Sequence, residues 1–123
     1  MLDHLGLDVS DYETSKSFYE RALAPLGIEL LMEPAPGVGG FGEDQKPYFW
    51  IARRDRPAQS GVHVAFEVSS RDLVDAFHAA ALEASATDNG GPGEREIYHP
   101  HYHGAYVLDP DGNNVEAVCH MPA

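Results

Sequence analysis

The sequence predicts an α+β fold of two βαβββ modules, forming a curled eight-stranded mixed sheet around a cleft with helices on its outer face. Three observations predict it. Residues 4–23, "HLGLDVSDYETSKSFYERAL", align without a gap on residues 63–82, "HVAFEVSSRDLVDAFHAAAL", at a constant offset of 59. Six positions are identical: His4/His63, Val9/Val68, Ser10/Ser69, Phe18/Phe77, Ala22/Ala81 and Leu23/Leu82. Each copy also opens on the period-two alternation of a strand and continues at the 3.6-residue period of a helix. The 123 residues therefore read as one domain, with module one at 1–56 and module two at 61–123, joined through the polar "RRDRPAQSG" (53–61).

In the first strand Leu5, Leu7 and Val9 point one way and His4, Gly6 and Asp8 the other. In its repeat Val64, Phe66 and Val68 oppose His63, Ala65 and Glu67. Ser10 or Asp11, and Ser69 or Ser70, are candidate helix caps, with Glu13 and Asp72 inside the first turns. Phe18, Ala22 and Leu23 match Phe77, Ala81 and Leu82 on one buried stripe, and Pro25 to Gly27 ends the first helix. Further strands are expected at "IELLME" (28–33), around Val38 to Gly42, at "PYFWIAR" (47–53), weakly at Arg95 to Tyr98, at "AYVLD" (105–109) and at "NVEAV" (114–118). "DPDGN" (109–113) reads as a hairpin turn, because Asp-Gly and Gly-Asn tolerate positive φ. The glycine- and proline-rich "PAPGVGGFG" (34–42) and "NGGPGE" (89–94) read as flexible loops.

Composition excludes several classes. A net charge of −12 repels phosphate backbones, so nucleic acid is not an expected partner. The same balance suits a cationic ligand or a metal ion near an acidic cleft. No apolar run approaches the ~18 residues of a membrane span. The single cysteine, Cys119, and the lack of a leader before Leu2 predict a cytoplasmic protein, with Cys119 as buried packing.

With "LDHLGLDVSD" and "SKSFYERAL" at the start, "GVHVAFEV" in the middle and "YVLDPDGNNVEAV" at the end, the whole chain resembles the vicinal oxygen chelate superfamily. That family includes glyoxalase I, bleomycin and fosfomycin resistance proteins, and extradiol dioxygenases. The resemblance implies metal ligands at His4, His63 and Glu116, three positions that alternation also turns toward the cleft. Two imidazoles and a carboxylate suit Fe, Mn, Ni or Zn and leave positions open for substrate or water. The fourth strand, "KPYFWIAR", has no carboxylate, so the fourth ligand of glyoxalase I-like members is absent and the set is closer to the dioxygenase and fosfomycin-resistance arrangements.

The implied function is a divalent-metal-dependent enzyme binding a small substrate through adjacent oxygens, with dioxygenase-like or lyase/isomerase-like chemistry. The alternative is a non-catalytic drug-binding protein of the bleomycin-resistance type. The resemblance also implies a homodimer, leaving open whether the sheet closes within one chain or by exchange between two. Tyr106 is assigned as a hydrogen-bond donor to substrate, and Trp50 or Phe49 as a wall of the cavity. The seven residues "YHPHYHG" (98–104) hold His99, His101 and His103 at one parity and Tyr102 at the cleft-facing one. Tyr102 is therefore a candidate ligand contact, and His101 and His103 are acid–base candidates only if a loop breaks the parity. Asp8 and Glu67 are expected to be solvated or interface acids. With only Arg95 in the last third of the chain, a phosphonate substrate lacks a cationic cradle.

Overall fold

Residues 1–123 are described in a computed structural model. Module one runs β1 (Leu5–Asp8), α1 (Tyr12–Leu23), a 3₁₀ turn (Ala24–Leu26), β2 (Glu29–Ala35), β3 (Val38–Glu43) and β4 (Lys46–Ala52). Module two repeats it as β5 (His63–Glu67), α2 (Arg71–Glu83), β6 (Thr87–Glu94), β7 (His103–Leu108) and β8 (Asn114–Cys119). The two βαβββ units and their helices are those expected from the repeat. Their eight strands form two four-stranded sheets ordered β1-β4-β3-β2 and β5-β8-β7-β6. In each, the first strand pairs parallel with the last, and the remaining pairs are antiparallel.

Local chemistry sets the element ends. The Asp11 carboxylate accepts from Thr14 N at 3.1 Å to cap α1, and Ser70 Oγ accepts from Leu73 N at 3.4 Å to cap α2. The β3–β4 hairpin turns through Asp44 and Gln45, with φ of 52° and 62°, and Glu43 pairs with Lys46. Both turn residues are thus left-handed, a conformation costing a non-glycine residue ~1–2 kcal/mol. Gln45→Gly is expected to stabilise the protein by about 0.5–1 kcal/mol after the entropy glycine adds to the unfolded chain. The urea midpoint measures it.

One expectation fails in module two. The stretch 89–94, read as a flexible loop, belongs to strand β6, whereas Arg95–Tyr98, read as a weak strand, lies in the turn after it. Glycine and proline erased the side-chain alternation that marks a strand. They are tolerated because β6 is an edge strand, its pairing with β7 shifting register between Asp88 and Gly90 and again between Gly90 and Gly93. The loop reading of 34–42 fails similarly, since this stretch holds the end of β2 and most of β3.

A single cluster of 21 buried residues draws on both modules. Tyr19 on α1 meets Phe49 of β4 edge-on at 4.9 Å, and Phe49 meets Phe66 of β5 at 5.5 Å, so aromatic contacts run from one sheet to the other. The helices α1 and α2 pack on each other, and the helix-bearing faces share this core. The opposite, helix-free faces carry the polar side chains: His4, Asp8 and Trp50 on the first sheet, and His63, Tyr106 and Glu116 on the second. No helix is long and apolar enough to cross a membrane.

Candidate functional site

On the second sheet, alternation along β8 sends Val115, Ala117 and Cys119 into the core and Glu116 to the helix-free face. Glu116 is nevertheless 0% exposed, because its neighbours close over it. Its Oε1 lies 2.7 Å from His63 Nε2, and its Oε2 accepts from the Tyr102 hydroxyl. The β7–β8 register sets Tyr106 directly opposite Glu116, and the Tyr106 hydroxyl donates to that of Tyr102 at 3.4 Å. Room for the group comes from Gly104, where a Cβ would stand 3.0 Å from Glu116 Oε2 and 3.1 Å from the Tyr102 ring. Arg95 donates to the carbonyls of Gly91 and Gly93 at 2.8 Å each, which lays its guanidinium 5.2 Å from the Tyr106 ring centroid. Burial pushes both the Tyr102 and the Tyr106 hydroxyls up, helped at Tyr102 by its bond to Glu116. Both are therefore protonated hydrogen-bond donors at neutral pH.

Two of the three residues expected to ligate a metal are thus adjacent, and the His63 side chain is 53% exposed and open to approach. The third is elsewhere. His4 opens the first sheet, exposed, with Nδ1 2.7 Å from Asp3 Oδ1. Within one chain no three His, Cys, Asp or Glu side chains are grouped so as to hold a metal ion. The imidazole nitrogen and carboxylate oxygen at 2.7 Å fit a divalent ion's donor set in kind, and they supply two donors of the three.

His4 lines a cavity of about 580 Å³ on the helix-free face of the first sheet, with Asp8, Lys46, Trp50, Arg54, Arg56 and Gln59 among its walls. Asp8, expected to be a solvated or interface acid, is 5% exposed within the single chain. Its carboxylate accepts from Arg56 Nε at 2.5 Å and from Gln59 Nε2 at 3.3 Å, and Arg54 Nε lies 3.2 Å away. The hydrogen bond from Arg56 holds the Asp8 carboxyl below its ordinary value of 3.8, outweighing the opposing effect of burial. A carboxyl whose pKa is depressed by folding adds stability above the unfolded value and loses it as pH falls through the folded one. The difference in thermal stability between wild type and Asp8→Asn is therefore expected to be full at pH 6 and to close progressively below pH 3.8. Melting curves across that range check it.

Several expected site residues lie apart. Phe49 is 1% exposed in the core, because its parity on β4 is opposite to that of Trp50, so Trp50 alone of the pair walls the cavity on the helix-free face. His103 shares the parity of core residues Ala105 and Val107, and its Nε2 reaches Asp75 on α2 at 3.1 Å. His101 sits exposed in the turn with φ 66°, beside Glu94, Glu96 and Pro100. Neither histidine is hydrogen-bonded to Glu116, His63 or Tyr106, so the structure does not bring the two acid–base candidates together with these residues. Tyr102 is the member of "YHPHYHG" that reaches the site, as parity indicated.

Sequence reasoning missed the basic wall formed by Arg54, Arg56 and Lys46. The signal was present: "RRDR" concentrates arginines in a chain with only eight Lys and Arg in all. It was read as a connector because nothing local pairs it with Asp8, 48 residues away from Arg56.

The glyoxalase/bleomycin resistance protein/dioxygenase superfamily model matches residues 1–117. A crystal structure of a glyoxalase/bleomycin resistance protein from Albidiferax ferrireducens is 30% identical, with a TM-score of 0.85 over 95% of this chain and 97% of that one. A glyoxalase/bleomycin resistance protein/dioxygenase family enzyme from Burkholderia phytofirmans shares the fold at 19% identity, with a TM-score of 0.76 over 98% of each chain. A putative glyoxalase from Bacillus halodurans shares it at 23% identity and a TM-score of 0.72, over 97% of this chain and 95% of that one. No curated protein matches the sequence. By its duplicated architecture and these matches, the chain belongs to the glyoxalase/bleomycin resistance protein/dioxygenase superfamily.

Proposed function

We propose that this protein is a divalent-metal-dependent enzyme acting on a small substrate through two adjacent oxygens, its site shared between two copies of the chain. His63 and Glu116 of one copy and His4 of the other would hold the ion. The observation that carries this reading is the buried Glu116 carboxylate, paired with a solvent-accessible His63 imidazole at 2.7 Å. His4 occupies the repeat-equivalent place of His63, yet on the separate helix-free face of the other sheet. Because the helix-bearing faces are already committed to one core, the helix-free faces are left to meet those of a second copy, which supports a homodimer.

A divalent ion held by these residues would supply positive charge to stabilise negative charge on adjacent substrate oxygens. The chain's own residues have separate tasks. Tyr102 donates to Glu116 Oε2 and fixes the carboxylate's orientation. Tyr106, protonated and opposite Glu116, would turn its O–H from the long bond to Tyr102 toward a substrate oxygen. Arg95 steadies the Tyr106 ring through its cation–π contact. Trp50 lines the cavity that accepts the rest of the substrate.

One observation favours a second reading, a drug-binding protein without chemistry: both Glu116 oxygens already have protein partners without an ion. Metal analysis of protein purified without chelator separates the two. The enzyme reading expects stoichiometric Fe, Mn, Ni or Zn, lost in His63→Ala, together with turnover of a catechol, a 2-oxoaldehyde thiol adduct or an epoxide. A protein that takes up no metal even when supplemented, and turns over none of these, overturns it.

A further inference from the structure

We infer that the cavity on the first sheet is a binding site for a planar, anionic small molecule, which names the substrate class of the enzyme and rests on the reading above only for the chemistry that follows binding. Charge is the first argument. The chain carries −12 overall, with eight Lys and Arg against twenty Asp and Glu. Three of those eight cations, Lys46, Arg54 and Arg56, line this one cavity, against a single lining carboxylate, Asp8. The surface as a whole repels anions, so a pocket of opposite sign is where an anion accumulates.

The arrangement is also preorganised. Asp8 engages Arg56 through Nε and Nη2, at 2.5 and 3.3 Å, and Arg54 through Nε at 3.2 Å. One carboxylate thus gathers two guanidiniums, leaving a net positive charge and free N–H donors on side chains that are 51% and 62% exposed. Guanidiniums present their donors in a planar fork that matches a carboxylate or phosphate. The Lys46 side chain is 54% exposed, and its ammonium bonds Asp3 Oδ1 at 2.9 Å.

Shape supplies the planar part. Trp50 is paired across β4 with Gly6 on β1 and Gly40 on β3. A Cβ on Gly40 would stand 2.8 Å from Trp50 Cη2 and Cζ3, so the indole lies down over the strand where a side chain would otherwise be. It forms a flat apolar shelf beside the cations, in a cavity of about 580 Å³, a size that suits a small molecule. The expectation from net charge alone, a cationic ligand, is the opposite of what this cavity is built to take.

Trp50 is the chain's single tryptophan, so one indole N–H resonance reports the site. Chelator-treated protein, followed by ¹H–¹⁵N correlation spectra, is titrated with benzoate and with its neutral and cationic counterparts benzamide and benzamidine. Benzoate is expected to shift the indole resonance saturably, binding at least about fivefold tighter than either counterpart. The Arg54→Gln/Arg56→Gln double variant should weaken benzoate about tenfold, and Lys46→Gln about threefold. Lys46→Gln leaves the Asp8 cluster intact and carries the test if the double variant does not fold. Benzamide or benzamidine binding as tightly as benzoate, or benzoate binding unchanged in Lys46→Gln, overturns the proposal. Because no metal is present, benzoate binding to a protein that never takes up metal sinks the enzyme reading and leaves the anion site standing. Metal uptake without a preference for benzoate does the reverse.

Discussion

Replacing Glu116 with alanine is expected to abolish stoichiometric metal binding and to reduce turnover more than about 100-fold, since even outer partners of metal ligands cost 10–100-fold when lost. The physical reason is position. Glu116 is the one acid buried beneath the helix-free face of the second sheet, where His63 and Tyr102 aim at its two oxygens. Alanine removes the carboxylate donor and leaves the His63 imidazole with no partner on that side. Glu116→Gln preserves the shape and one acceptor oxygen, so it should keep the fold while binding metal far more weakly. Mass-spectrometric metal content, with a thermal melt on each variant, separates loss of the site from loss of the fold. If Glu116→Gln retained full metal and full turnover, the carboxylate would not be a ligand.

The second large effect is on stability. Asp109→Ala is expected to destabilise the protein by about 3–5 kcal/mol, because it leaves several buried donors unsatisfied at roughly 1–3 kcal/mol each. Asp109 is 6% exposed and accepts from Tyr19 Oη at 2.5 Å, Asn113 N at 2.8 Å, Asp111 N at 2.9 Å and Asn113 Nδ2 at 3.1 Å. Tyr19 belongs to α1 of module one, so this carboxylate ties the β7–β8 turn to the other module. Burial raises the Tyr19 hydroxyl well above its ordinary value, keeping it a donor at every usable pH. Asn113 extends the network, accepting from Val62 N at 3.0 Å and donating to Gln59 O at 3.1 Å. Tyr19→Phe removes one bond of the four and should cost about 1–2 kcal/mol. Urea unfolding of both variants tests the ranking, and equal losses would show that the turn's own backbone bonds dominate.

How much was legible in the sequence follows from what each feature depends on. The duplicated βα unit was readable because alternation and helical period are local properties, and Phe18/Phe77 and Ala22/Ala81 hold equivalent core positions in both copies. The turn at 109–113 was readable from its aspartates and glycine, but its grip on Tyr19 was not, being a contact across 90 residues. Strand β6 was hidden because Gly90, Gly91 and Gly93 offer no side chains to alternate, and only its partner β7 defines it. Parity alone demoted the histidines of "YHPHYHG" and singled out Tyr102, which reaches Glu116. Net charge could not show the basic cavity, because it averages a surface on which one pocket gathers Lys46, Arg54 and Arg56.

The proposal that the metal site is completed by a second copy is open to one direct measurement. His4→Ala and Glu116→Ala each remove one half of every site, so neither protein alone should hold metal. Unfolded together and refolded as a mixture, the two chains should form mixed dimers, in which His4 from one chain meets His63 and Glu116 from the other. With random pairing about half the dimers are mixed and one site in each is intact, so about one quarter of the wild-type metal should return. Metal content in the mixture no higher than in the separate variants would contradict a site shared between chains.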